Sequence, residues 1–438
     1  MKNLFLLISI IIHATLISQD FNREKMDKLF SLIESKQKGM GSISIFEKGE
    51  EMYQNSFGYA SIEENIKAIN KTKYRIGSIS KTFTAAIIMS LIENGKLSLT
   101  APLADFFPEI KNSSNITIAH LLKHRSGIFN FTSSEDYPSW MEQSISKEEL
   151  VKRIVANGSS FEPNEKFEYS NSNYVLLSFI AEKIENKEYE EIIKETICKP
   201  CSLVNTYYGS DIIVKNNEAK SYTNTSDWKL ATETDMSVPV GAGAIVSNPT
   251  ELNQFLNCLF DYKIVSEQAV NSMIKIEDGY GMGIFQAPFY DKKAYGHNGG
   301  IDGFQSNAFY FPEEKVSVAY TSNGVVMPMN DILIGALSIY FGKEYALPEF
   351  NPPLDLKPEE LDTYLGIYSS PDFPLKITIS KEKNKLIGQA TGQSSFPLEA
   401  YEPSKFKFDQ AGLKMEFKPD DNKMILRQGG GEFELKKE

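Results

Sequence analysis

Between Phe83 and Ile92 almost every position is apolar, and Gly95 follows Asn94 as a natural stop. No polar face interrupts the run, so it predicts a helix covered on all sides. From Gly41 to Tyr59 the pattern changes to alternation, with Ile43, Ile45, Met52 and Phe57 on either side of Glu47-Lys48-Gly49-Glu50. That is the pattern of an antiparallel hairpin. Thr117 caps a short helix running to His124 and stopping at Gly127, and Glu148 to Asn157 predicts another. Phe167 to Tyr174 opens an apolar helical run through Ile184, and Pro249 opens one to Phe260. Gly279 to Phe285 begins a β-rich section. Strands follow at Tyr295–Gly300, Phe304–Tyr310 and Val316–Thr321, with Pro312 to Lys315 as a turn, and Asp331 to Phe341 closes the section as a helix. The layout is a sheet flanked by helices, with a helical insertion between its first and last strands.

Beyond residue 347 the rhythm shifts. Pro348 to Pro358 holds four prolines in eleven residues, a stiff linker. Short alternating runs then recur at 375–379, 385–387, 405–408, 414–417, 424–426 and 433–435, separated by Gly, Asn, Asp or Pro. They predict a β-meander or small barrel. This part contains no His or Cys and no catalytic pairing.

A length of 438 residues suits two domains rather than one core. The net charge of −12 argues against nucleic acid or an anionic membrane surface as partner. Residues 1–20 have the form of a signal peptide. Met1-Lys2-Asn3 gives a positive start, Leu4 to Ile12 an apolar run too short to span comfortably, and Ser18-Gln19 a cleavage region. An uncleaved anchor is the alternative, and both place the body outside the cytoplasm, periplasmic or extracellular. No stable membrane insertion is expected once the leader is removed.

Cys198-Lys199-Pro200-Cys201 has redox-motif spacing, and an exported protein could close a disulfide there. No thioredoxin-like pattern surrounds it and no second pair provides a zinc site, so structural cysteines are the reading. His120 and His124 stand four apart, but no Glu follows the metalloprotease pattern and no third ligand is evident, so both read as structural. Gly241-Ala242-Gly243 lacks the spacing of a phosphate loop, which excludes a nucleotide site there.

The candidate chemistry sits at the entrance of the Phe83–Ile92 helix. Ser78 and Lys81 are three apart and share a helical face. A hydroxyl needs a neighbouring base to become a nucleophile. A lysine desolvated by an apolar helix is neutral near pH 7 and can be that base. The helix N-terminus favours developing negative charge.

Two more stretches complete a pattern. In this order, Ser78-Ile79-Ser80-Lys81, Tyr169-Ser170-Asn171 and His297-Asn298-Gly299 resemble the three motifs of the penicillin-recognising serine hydrolases. These include class C β-lactamases, D-alanyl-D-alanine carboxypeptidases, D-aminopeptidases and related esterases. Leu121 to Ile128 resembles the family's His-Thr-Ser-Gly-Leu segment, and Gly241-Ala242-Gly243 a family turn. The resemblance covers roughly residues 25 to 345, and the C-terminal part resembles the small lipocalin-like barrel attached to such hydrolases.

The resemblance implies an α/β fold: an antiparallel sheet flanked by helices, an all-helical insertion, then the barrel or meander. Residues 21–347 would be the hydrolase domain, 348–358 the linker and 359–438 the accessory domain. Ser78 would attack a carbonyl and become acylated, with Lys81 taking its proton. Tyr169 would pass a proton to the leaving group or activate water for deacylation. Asn171 would bond Lys81 and a substrate amide. The backbone N–H groups of Ser78 and Gly300 would form the oxyanion hole, with Gly299 and His297 beside the substrate. No metal or cofactor is implied, and the partner is a small peptide or ester, peptidoglycan-derived peptides included. One departure matters. Where β-lactamases and many carboxypeptidases have Lys-Thr-Gly, this chain has His297, which is mostly neutral at pH 7. That form resembles D-aminopeptidases and several esterases. The function so implied is a peptidase of D-amino-acid-containing peptides, of carboxypeptidase or aminopeptidase type. A small-ester hydrolase, a β-lactamase and a non-catalytic penicillin-binding sensor are the alternatives.

Overall fold

The computed structural model describes residues 21–438 except 225–226, 351–353, 372, 394, 409–410 and 429–430. The leader and the middle of the proline-rich linker thus lie outside the described residues. Helix α1 (Arg23–Ser35) comes first, its N-terminus capped by the Asn22 side chain accepting from the Lys25 N–H. It buries Met26, Leu29, Phe30 and Ile33, one stripe at helical spacing. Strands β1 (Gly39–Glu47) and β2 (Glu50–Phe57) form the expected hairpin. Lys48 and Gly49 both take positive φ in its two-residue turn, which matches the twist of the strands.

Helix α2 (Ser80–Glu93) is buried from Ser80 through Met89. Its polar members find backbone partners: Thr82 donates to the Gly283 carbonyl at 2.7 Å and Thr84 to that of Gly241 at 2.6 Å. Helices α3 (Ile118–Leu122), α4 (Lys147–Asn157) and α5 (Asn171–Glu185) make up the insertion. Thr117 caps α3 and Ser146 caps α4. Helix α6 (Pro249–Phe260) leads back to the sheet.

Strands β3 (Phe285–Phe289), β4 (Lys292–Ile301), β5 (Phe304–Phe311) and β6 (Val316–Val325) follow in sequence. Then comes helix α7 (Met329–Tyr340). The antiparallel sheet runs β3-β4-β5-β6-β1-β2, so the first hairpin of the chain pairs with the last strand. Val316, Val318 and Tyr320 of β6 pack with α1 and α7, whereas Ala319 faces the core of the helical insertion. Burial on both faces explains why β6 reads as a nearly unbroken apolar and small-residue run.

The C-terminal part is a closed barrel, β7 (Gly366–Ser370) through β14 (Gly431–Lys437), with β7 paired to β14. Its interior is filled by side chains such as Leu386, Met415, Met424 and Leu426, all fully buried. Among the described residues no helix is long and apolar enough to cross a membrane.

The cysteines pair differently from the spacing-based possibility. Cys201 bonds Cys258 on α6, 57 residues away. Cys198 stays a buried thiol and donates to the Thr206 carbonyl. It ends a π-helical segment, Lys194–Cys198, that keeps it on the core side.

Candidate active site

Ser78 lies in a one-turn 3₁₀ segment, Gly77–Ile79, immediately before α2. A short strand, Tyr74–Arg75, pairs with Ile245–Ser247 and delivers the chain to that turn. Gly77 has φ +50°, and a Cβ on it would meet the Gly300 backbone nitrogen at 2.8 Å. A Cβ on Gly299 would stand 2.0 Å from the Ile76 carbonyl oxygen and 3.0 Å from the Ser78 nitrogen. Only glycine lets β4 approach the nucleophile turn this closely. The approach puts the Ser78 and Gly300 amides in one narrow seam, the arrangement an oxyanion hole requires.

Lys81 is fully buried, its Nζ 2.9 Å from Ser78 Oγ and 2.7 Å from the Ala242 carbonyl oxygen. Burial holds the amine well below its usual range. Without its proton the amine would donate to the Ala242 carbonyl and turn its lone pair to the Ser78 hydroxyl. Tyr169 packs alongside, its ring centroid 4.9 Å from Lys81 Nζ. Burial pushes its phenol far above the ordinary range, offset in part by its bond with Ser78. The two pKa values are driven in opposite directions, the amine down and the phenol up, as an acid–base pair requires.

His297 is 3% exposed, and burial first, then Lys81, bring its pKa down to about 3. Its Nε2 faces the Tyr280 hydroxyl at 3.0 Å and its Nδ1 the Asn298 carbonyl. A proton on Nδ1 satisfies the carbonyl, and the tyrosine hydroxyl then donates to Nε2. His297 thus lines the cavity, but both ring nitrogens have protein partners. Asn171 departs from the expected bond to Lys81. Its amide donates to Thr132 Oγ1 at 2.9 Å, whereas Lys81 bonds Ser78 and Ala242. Thr132 is presented to Asn171 by the 3₁₀ turn Phe131–Ser133.

Two cavities flank Ser78. The larger, about 910 Å³, includes Tyr169, Tyr280, His297, Gly299 and Gly300 in its walls. The smaller, about 370 Å³, includes Phe131, Tyr137, Met141, Asn171 and Ala242. Asp302 lines both, and among the described residues neither is lined by Lys or Arg.

Several neighbours escape a reading by motif. His124 is fully buried with its ring centroid 4.3 Å from that of Tyr169, and it accepts from the Ser170 N–H. It forms the floor under the phenol, and the resemblance of Leu121–Ile128 to a family segment was the signal for it. His120 instead closes the cap of α3. Tyr280 had no signal beyond its glycine-rich surroundings, and Arg75 and Asp302 had none.

The Beta-lactamase family model matches residues 29–336. Penicillin-binding protein 4* of Bacillus subtilis is 26% identical over 94% of this chain and 98% of its own length. Teichoic acid D-alanine hydrolase of Staphylococcus aureus is 26% identical over 65% of this chain and 70% of its own. Among solved structures, the octameric penicillin-binding protein homologue from Pyrococcus abyssi is 28% identical. It covers 95% of this chain and 100% of that one with a TM-score of 0.68. D-amino acid amidase from Ochrobactrum anthropi, 23% identical, covers 73% of this chain and 99% of that one at 0.65, a likeness of fold. The chain belongs to the β-lactamase family, the penicillin-recognising serine hydrolases.

Proposed function

We propose that this protein is an exported hydrolase that cleaves an amide or ester of a D-amino acid through an acyl-enzyme on Ser78, and that its substrates carry no carboxylate for the cleft to read. One observation carries the second half: among the described residues neither cavity beside Ser78 is lined by Lys or Arg, and His297 is neutral above about pH 3. An anionic substrate group would be desolvated there without a counter-charge. The names of the relatives, a D-alanine hydrolase and a D-amino acid amidase, support the first half.

The steps follow from the protonation states. Lys81 Nζ takes the Ser78 proton as Oγ bonds to the carbonyl carbon, and the oxyanion accepts from the Ser78 and Gly300 N–H groups. The tetrahedral intermediate collapses as the C–N or C–O bond breaks, and Tyr169 gives its proton to the leaving group. Lys81 then returns its proton to the phenolate. In deacylation water repeats the attack, Tyr169 being recharged by the same amine. Removing a positioned base or acid of this kind costs about 10²–10⁴ in rate.

Export is supported by the leader-like residues 1–20 and by the Cys201–Cys258 bond, which persists in oxidising compartments. Residues 359–438 we read as an accessory unit joined through the 348–358 linker.

A panel of D-alanine p-nitroanilide, D-alanine p-nitrophenyl ester and a D-Ala-D-Ala peptide tests the reading. The first two should turn over and Ser78→Ala should abolish both. Preference for the peptide with a free C-terminal carboxylate would reject the claim about the cleft. Full activity of Ser78→Ala would reject the acyl-enzyme. Nitrocefin should turn over little above the Ser78→Ala background.

A further inference from the structure

One buried ion pair joins the two chain segments that each supply an oxyanion donor. Arg75 lies three residues before Ser78, and Asp302 two residues after Gly300. Arg75 Nη1 reaches Asp302 Oδ2 at 3.1 Å, and the two side chains are 2% and 1% exposed. The guanidinium also donates to the carbonyls of Thr234 and Ser210 and to Glu233. The other carboxylate oxygen accepts from the Thr234 N–H at 3.1 Å and its hydroxyl at 2.6 Å. Asp302 sits at the tip of the β4–β5 turn with φ +52°, a left-handed conformation held by those bonds. A second tie lies one turn away, where Ser306 Oγ on β5 donates to the Ile76 carbonyl at 2.8 Å.

A buried ion pair is poor value as a source of stability, because desolvation offsets most of its attraction. Its geometry, however, is exact in direction: it fixes the hairpin tip against the strand that enters the nucleophile turn. We infer that Arg75 and Asp302 are positioning residues that set the gap between the Ser78 and Gly300 amides, and so tune the oxyanion hole through the backbone. The inference rests on the acyl-enzyme reading above. Hydrogen-bond donors in such a hole act only when held at the developing charge, so slack in the seam lowers the rate of acylation more than it lowers substrate affinity.

The experiment uses the full chain, with active sites counted by a fluorophosphonate label so that misfolded protein drops out. Asp302→Asn, Arg75→Lys, their combination and Ser306→Ala are compared on D-alanine p-nitroanilide, and phenylboronic acid serves as the tetrahedral mimic on Ser78. Asp302→Asn should lower kcat per site by about 10- to 100-fold with KM within about threefold, and raise the boronate inhibition constant in step. The double variant should lose no more than the worse single one, as partners in one contact do. Ser306→Ala, which leaves the ion pair intact and keeps the fold testable, should move kcat and the boronate constant together by a smaller factor. The proposal is overturned if kcat and the boronate constant of the Asp302 variant stay within twofold of the parent, or if Ser306→Ala and Asp302→Asn change KM alone. A Ser78→Ala protein that remains active would instead remove the reading beneath it.

Discussion

Replacing Lys81 with Met should make the protein more stable and almost inactive. The fold holds this amine well below the ordinary value of 10.5 that the unfolded chain keeps. Below 10.5 the unfolded chain therefore binds a proton that the fold refuses, and each pH unit between the folded value and 10.5 costs folding about 1.4 kcal/mol. Methionine has the same reach and removes the cost, but it leaves the Ala242 carbonyl without its donor, a loss of about 1–2 kcal/mol. The balance at pH 7 is a gain in stability, because the proton refused over the span below 10.5 outweighs one lost hydrogen bond. The sign of the pH dependence follows. Wild-type stability rises with pH up to 10.5 through this group, so the advantage of the variant shrinks by about 1.4 kcal/mol per unit and reverses before 10.5, where only the lost hydrogen bond remains. Denaturant titrations of both proteins at pH 7, 8, 9 and 10 measure it, beside turnover of a D-alanine ester. A variant less stable than wild type at pH 7, or a stability gap that ignores pH, would refute a neutral Lys81 and with it the general base.

Three further outcomes can be checked. Gly299→Ala places a methyl 2.0 Å from the Ile76 oxygen; the seam must open by about 1 Å, and kcat should fall about 100-fold in a steady-state assay. Reducing Cys201–Cys258, which closes a 57-residue separation, should cost about 4 kcal/mol on the loop-entropy account, read as a lower denaturation midpoint in thiol. His297→Gln should flatten the acid side of the stability curve. Because the histidine refuses its proton down to about pH 3 in the fold but binds it near 6.5 when unfolded, wild type loses stability as pH falls through that window, and melts from pH 6.5 to 4 should show a shallower decline in the variant.

What the chain discloses on its own is what neighbouring residues encode. The apolar run after Lys81 gives α2, Lys48-Gly49 gives the first turn, and the short alternating segments give the barrel strands. The stripe of α1, Met26 to Ile33, has the same kind of local signal, and a reading led by catalytic motifs passes over it. The partners of His297, Asn171 and Cys201 are of another kind. Tyr280 is fixed by burial rather than by a motif, Thr132 by the 3₁₀ turn between α3 and α4, and Cys258 by where α6 crosses the insertion. Arg75 and Asp302 lie 227 positions apart, and no periodicity links them. Residue types capable of catalysis were therefore visible, while the bonds that set their charge and aim depend on packing between distant segments.

The pairing of Gly39 with Val325 has a consequence for how the polypeptide comes to life. Ser78 is synthesised early and the Gly300 amide late, and β1 has no neighbour on its β6 side until residue 316 onward has been made. On the proposed mechanism a chain cut upstream of residue 300 should be inert, since it holds Ser78 without the Gly300 amide. Contacts of such long range also make slow folders, so a newly made chain spends an interval with its central strands open to chaperones and proteases before it can hydrolyse anything.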